Sequence, residues 1–175
     1  MSMVKSIPDL ERRTEEGSIY EGEERVITFR AATFQSIIDK VRGMAGDIVA
    51  RTIFYQMGLD IGRKSFEYSK DEGITFESFV RILDAVLTLR GWGRFVSANK
   101  SESNTQVDYE CIFQECIMCH KLTAQQPICD VVRGIFAAWL EALRGEKAQS
   151  SVETQCRAMG KDSCVFKITF AKDTR

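Results

Sequence analysis

The chain has 175 residues, 44% of them hydrophobic, and its 24 Lys and Arg against 25 Asp and Glu leave a formal net charge of -1. Such a length buries one substantial core, and the balanced charge offers no field for a nucleic-acid backbone or an anionic membrane, so direct nucleic-acid binding is not expected. No apolar run is long enough for a signal peptide or a membrane span. The expected location is therefore the cytoplasm, where six cysteines serve as thiols, metal ligands or redox groups and not as a disulfide framework.

Residues 9 to 24, rich in Glu and Arg with Gly17 and Gly22, predict a loosely held arm leading into a short strand from Arg25 to Phe29. Phe34, Ile37, Ile38 and Val41, three and four apart, predict a helix that begins near Thr33 and breaks at Gly43 to Gly46. A longer helix follows from about Asp47 to Tyr68. Gly58 and Gly62 lie four apart on one of its faces, where packing against a close neighbour or a ligand explains glycines that otherwise weaken a helix. After the break at Asp71, Glu72 and Gly73, Thr75 with Ser78 and the run Phe76, Phe79, Val80, Leu83, Val86 and Leu87 predict an amphipathic helix ending at Gly91.

From Trp92 the period shortens to two. Trp92 to Ala98 predicts a strand, Lys100 to Thr105 a polar turn, and Val107, Tyr109, Cys111 and Phe113 line one face of the next strand. Pro127 then opens a helix with Ile128, Val131, Ile135, Trp139 and Leu143 on one face and Gly145 as its stop. A second hairpin closes the chain, with arms Ala148 to Cys156 and Cys164 to Phe170. Cys164, Phe166, Ile168 and Phe170 share its core face. This order predicts an α+β fold: an antiparallel sheet of four to five strands covered on one face by helices.

Three cysteines of this C-terminal half suit a metal site. Cys129 falls in the first turn of the helix opened by Pro127, where the helix dipole favours a thiolate. Cys156 and Cys164 flank the turn of the last hairpin. Zinc in a structural site takes four thiolate, imidazole or carboxylate ligands in a tetrahedron. Glu153 is the chosen fourth group, with Asp130, Asp162 and His120 as alternatives. On a flat strand residues three apart face opposite sides, so Glu153 and Cys156 share a metal only where a bulge or the strand end intervenes.

The segment Glu153, Cys156, Arg157, Ala158, Met159, Gly160, Lys161, Asp162, Ser163, Cys164, Val165, Phe166 resembles the C-terminal signature of the 4-vinyl reductase domain family. Pro127, Ile128, Cys129 with Arg133 and Gly134 resembles its preceding helix start, and Tyr55, Gly58, Gly62 and Arg90 to Gly93 agree with it, so the likeness spans roughly residues 45 to 170. The resemblance implies a fold shared with the sensor domains of phenol- and xylene-responsive activators and, more remotely, with vesicle-tethering subunits. It further implies residues 1–24 as an N-terminal arm and 25–175 as a single ligand-binding domain that holds zinc and an apolar or aromatic ligand. The implied zinc ligands are Cys129, Glu153, Cys156 and Cys164. No ATPase or DNA-binding module is attached, so a sensor role calls for a separate regulatory partner, and a homodimer is expected.

Cys111, Cys116 and Cys119 form a possible second cluster, since their C-x4-C-x2-C spacing is that of plant-type ferredoxins. Cys116 to His120 also spells the haem-attachment motif, which a cytoplasmic location argues against. A cluster would need a fourth thiolate, and Cys129 is already assigned. His120 is the only histidine, and neither phosphate loops nor serine-nucleophile motifs occur, so no catalytic constellation is present. The expected function is a non-catalytic, zinc-containing small-molecule binding module with Tyr109, Phe113 and Trp139 lining its pocket. Two alternatives stand: a redox or reductase protein with an iron–sulfur or thiol centre, and a dimeric assembly subunit without ligand.

Overall fold

The computed structural model describes residues 10–13, 15, 17–70 and 73–172. Positions 1–9, 14 and 16 of the expected arm, and 71 and 72 of the expected break, lie outside the described residues. The rest of the arm is ordered as an antiparallel meander of β1 (Leu10–Arg13), β2 (Ser18–Glu21) and β3 (Glu24–Val26), so the strand expected from Arg25 to Phe29 starts earlier and stops at Val26. Its charged residues have local uses. Arg13 pairs with Glu11 at 2.9 Å, Glu21 takes the guanidinium of Arg90 at 2.8 Å, and Glu24 accepts the Tyr68 hydroxyl at 2.8 Å.

Helices α1 (Ala31–Ala45) and α2 (Asp47–Ser69) meet at Gly46, whose φ of 77° is open to glycine at little cost. Helix α3 (Phe76–Leu89) starts on the capping box that Thr75 and Ser78 predict. Strands β4 (Arg94–Glu102) and β5 (Gln106–Gln114) form the first hairpin. Helix α4 (Asp130–Arg144) stops at Gly145 in the left-handed region, and β6 (Ser150–Gln155) with β7 (Cys164–Ala171) closes the chain. The main sheet is antiparallel in the order β4-β5-β7-β6, within the expected α+β class.

Helices α3 and α4 cover one face of this sheet, while Val96 and Val152 on its strands stay exposed. Phe136 of α4 lies at the centre of the interface, with ring centroids of Phe95, Phe166 and Phe113 at 4.6, 5.3 and 5.6 Å. Such ring pairs add about 0.5–1.5 kcal/mol each beyond the area they bury. Outside α4 lies α2, and the two helices are in backbone contact where Gly58 faces Val131 and Gly134, and Gly62 faces Ile135 and Ala138. The glycine pair seen in the sequence thus serves helix packing.

Candidate metal centre

Five cysteines and one glutamate meet at the end of the sheet where β5 finishes and β7 begins. Register brings them there. Phe113, at the end of β5, pairs with Cys164, the first residue of β7. The chain leaving β5 therefore turns beside Cys164, and Cys116 and Cys119 lie on that turn, a 3-10 segment at Ile117–Cys119. The Ile117 amide donates to the Trp92 carbonyl at 2.9 Å, and Gln35 of α1 donates to the His120 carbonyl at 2.6 Å, which fixes the turn from two sides.

Cys129 is the residue capping the N-terminus of α4, not part of its first turn, so the helix begins three residues after the start expected at Pro127. The Cys129 amide donates to Glu153 Oε2 at 2.8 Å, a bond that ties the helix start to β6. Arg133 strengthens the tie by donating to the Ser151 carbonyl at 2.7 Å and pairing with Asp130 at 2.9 Å, while Arg51 of α2 reaches the other Asp130 oxygen at 3.3 Å.

The β6–β7 register slips between Glu153 and Gln155. Glu153 pairs with Phe166 and Gln155 with Val165, so Thr154 is an extra residue on β6. This is the bulge that lets Glu153 and Cys156 face the same buried side, with Thr154 and Gln155 exposed between them.

The Sγ of Cys129 lies 3.7 Å from those of both Cys156 and Cys164. The ligand atoms of Cys129, Glu153, Cys156 and Cys164 all fall within 4.8 Å of one another. A zinc ion takes thiolates at about 2.3 Å, which sets the sulfur–sulfur edge of a regular tetrahedron at about 3.8 Å. All six cysteines of the chain are free, so the spacing is not that of disulfides.

Electrostatics favour a cation here. Glu153 is 8% exposed, and its Oε1 has no hydrogen-bond partner among the described residues. Burial first, and then the negative charge of Cys156, push its carboxyl up to about 9. The thiols divide protons among themselves: hydrogen bonds from Cys116, Cys129, Cys156 and Cys164 hold Cys119 far down, and hydrogen bonding to Cys116 first and Cys119 next holds Cys129 and Cys164 up. A metal ion held here would replace those protons and give the lone carboxylate oxygen a partner.

Of the alternative fourth groups, Asp130 is committed to Arg133 and Arg51, Asp162 is exposed, and His120 lines a neighbouring open cavity. The possible cluster of Cys111, Cys116 and Cys119 divides. Cys111 is fully buried within β5, opposite Ala98 and Phe166, and burial raises its thiol well above the ordinary range. Cys116 and Cys119 instead form a second close set with Cys129 and Cys164, again within 4.8 Å, with Cys119 Sγ 3.6 Å from Cys164 Sγ. The C-x-x-C spacing is the sequence signal for that set; its two partners are supplied by strand register.

Tyr109, Phe113 and Trp139 all lie in the core between sheet and helices. Trp139 packs on Phe66 and Phe79 and donates its indole N–H to Ser65 Oγ at 2.8 Å. Tyr109 packs on Phe76 and Phe170, and its hydroxyl accepts from Arg144 at 3.1 Å.

Comparison with known proteins agrees with the resemblance carried by the C-terminal signature. Residues 110–170 match the family model described as V4R domain. The Methanocaldococcus jannaschii protein MJ0150 is 29% identical over 117 residues, 66% of this chain and 62% of that protein, so the chain matches less than two thirds of the relative's length. The phenol-responsive sensory domain of the transcription activator PoxR, solved with phenol, shares the fold at a TM-score of 0.74 and 21% identity, over 91% of this chain and 84% of that one. A vinyl-4-reductase family protein from Methanocaldococcus jannaschii follows at 0.54 and 21%, over 85% of each chain. A trafficking protein particle complex subunit 3 from Naegleria fowleri, covalently bound to palmitic acid, is similar at 0.57 and 16%, over 82% of this chain and 93% of that one.

Proposed function

We propose that this chain is a small-molecule sensing module whose C-terminal hairpin and α4 are held together by zinc on Cys129, Glu153, Cys156 and Cys164. The observation that carries the metal is the buried, unpartnered Oε1 of Glu153 beside three sulfurs at tetrahedral spacing. Three thiolates and a carboxylate form a closed set, which suits a structural ion and leaves no open position for a reacting water. When bound, the zinc would supply a fixed double positive charge that offsets half of the negative charge of these ligands. The chain's own residues do the rest: the bulge at Thr154 aims Glu153, the Cys129 amide orients its carboxylate, and Arg133 anchors the helix start.

The ligand is an apolar or aromatic molecule, a reading supported by the likeness in fold to the phenol-responsive sensory domain and by the aromatic core to which Tyr109 and Phe113 of the sheet and Trp139 of α4 contribute. A ligand entering this core has to separate rings already in contact, which makes binding and helix movement one event. No helix among the described residues is long and apolar enough to cross a membrane. The output passes to a separate regulatory partner, and the module acts as a homodimer in a reducing compartment.

Two measurements test this reading. Protein purified without added metal is expected to carry zinc, of which Cys156→Ser loses about one ion per chain and Cys111→Ser none. A metal-free wild type, or a Cys111→Ser variant that alone loses metal, would count against the site. The chain has two tryptophans, so in Trp92→Phe the emission reports Trp139 alone. Phenol is expected to change that emission and raise the melting temperature, and no response in either rejects phenol-like ligands.

A further inference from the structure

We infer that the centre holds a second metal ion, on Cys116, Cys119, Cys129 and Cys164, so that the thiolates of Cys129 and Cys164 bridge two ions. The inference rests on the zinc reading above and adds a position to it. Its basis is that the two close sets overlap: Cys129 and Cys164 belong to both, with Glu153 and Cys156 on one side and Cys116 and Cys119 on the other. Two tetrahedra that share an edge have this arrangement. Three sulfur–sulfur spacings, Cys129 to Cys156, Cys129 to Cys164 and Cys119 to Cys164, are 3.7, 3.7 and 3.6 Å, and the Cys116 sulfur lies within 4.8 Å of the other three of its set.

Burial as plain thiols is the competing account of Cys116 and Cys119, because free cysteine packs as a small hydrophobe. It does not explain the backbone. Glu115 and Lys121, flanking the turn, are the only non-glycine residues with positive φ among those described, at 51° and 57°. A non-glycine residue in that region is strained, and such strain persists where something else fixes the conformation. Here it curls the C-x-x-C turn, a spacing typical of zinc ligands, so that both sulfurs point at Cys129 and Cys164.

Charge points the same way. One dication on Cys129, Glu153, Cys156 and Cys164 leaves Cys116 and Cys119 as buried thiols, whereas a second dication takes them up without changing the net charge of the centre, its two positive charges offsetting the two thiolates formed as each thiol releases its proton to water. An open cavity of about 330 Å³, lined by Glu115, Cys119, His120, Lys121, Leu122 and Arg157, gives ions a route to Cys119.

The test uses the full chain, loaded with zinc under reducing conditions and freed of excess. Wild type is expected to hold about two zinc ions per chain, and the double variant Cys116→Ser/Cys119→Ser about one. If both proteins hold one ion, the second site is wrong while the zinc reading stands; if wild type holds none, both fail. Should the double variant not fold, cobalt substitution of wild type decides between one ion and two. Bridging thiolates couple two cobalt spins, so the paramagnetic signal per cobalt is expected to fall well below that of protein loaded with a single equivalent. Two cobalt ions with undiminished signals would overturn the bridge.

Discussion

Cys164→Ser is expected to strip the centre of all its metal and to open the end of the molecule where the hairpin meets α4. Cys164 stands between the two sets, 3.6 Å from Cys119 and 3.7 Å from Cys129, so no four-ligand site survives its loss. Apparent binding free energies of structural zinc are on the order of 10 kcal/mol, against a whole-domain stability of about 5–15 kcal/mol. The damage is expected to stay local because Phe79, Phe95 and Phe136 pack ring against ring and need no metal to hold them. Hydrogen exchange is expected to lose about a hundredfold protection or more, roughly 3 kcal/mol, in the Cys116 turn, around Cys129 and from Glu153 to Phe166, while α3 keeps its protection. A chelator acting on wild type should give the same map. Metal removal with protection unchanged in those segments would show that the ion does not hold the structure together.

The same contrast between local and distant determinants decides what the sequence discloses. Helix α3 is legible because its apolar stripe and its Thr75–Ser78 cap lie within one segment, and Gly145 marks the end of α4 for the same reason. The beginning of α4 is not. Pro127 signals a helix start locally, but the helix begins at Asp130, with the Cys129 amide before it bound to Glu153 of a strand 24 residues away. The β1–β3 meander is hidden because its charged residues find partners on α2 and after α3, so composition alone reads as an arm.

Within the centre, the first ligand set can be assembled from spacing and family likeness, yet it requires a bulge between Glu153 and Cys156 that no residue type announces. The slip at Thr154 supplies it. Cys116 and Cys119 are visible as a C-x-x-C pair, but proximity in sequence groups them with Cys111. Alternation along β5 settles the matter: Cys111 pairs across the sheet with Ala98 and Phe166, and only after the strand ends at Gln114 does the chain turn towards Cys164. Which cysteines meet is therefore a property of strand pairing.

Gly58→Ala is expected to destabilise the protein by about 2 kcal/mol or more, although alanine is the better helix former by about 1 kcal/mol. A Cβ at this position would overlap the Val131 carbonyl oxygen and stand 2.9 Å from its carbon and 3.0 Å from Gly134 Cα. All three are backbone atoms, so no side chain can rotate away and α2 must move off α4 as a body. Gly134 is the reciprocal contact, its added Cβ meeting the Tyr55 carbonyl and lying 2.8 Å from the Leu59 amide nitrogen. Gly43→Ala in α1 is the control: nothing lies within 4 Å of its added Cβ, so the helix propensity acts unopposed and stability should rise by about 0.5–1 kcal/mol. Urea unfolding of the three zinc-loaded proteins reads both signs. In a domain of this size 1 kcal/mol shifts the melting temperature by about 2–4 °C, so the two variants should fall on opposite sides of wild type. Because Cys129 caps the N-terminus of α4, the Gly58→Ala displacement should also weaken metal retention under a competing chelator, while Gly43→Ala leaves it unchanged. A Gly58→Ala protein as stable as wild type would mean that α2 and α4 are not in backbone contact, and the glycines of α2 would then need another explanation.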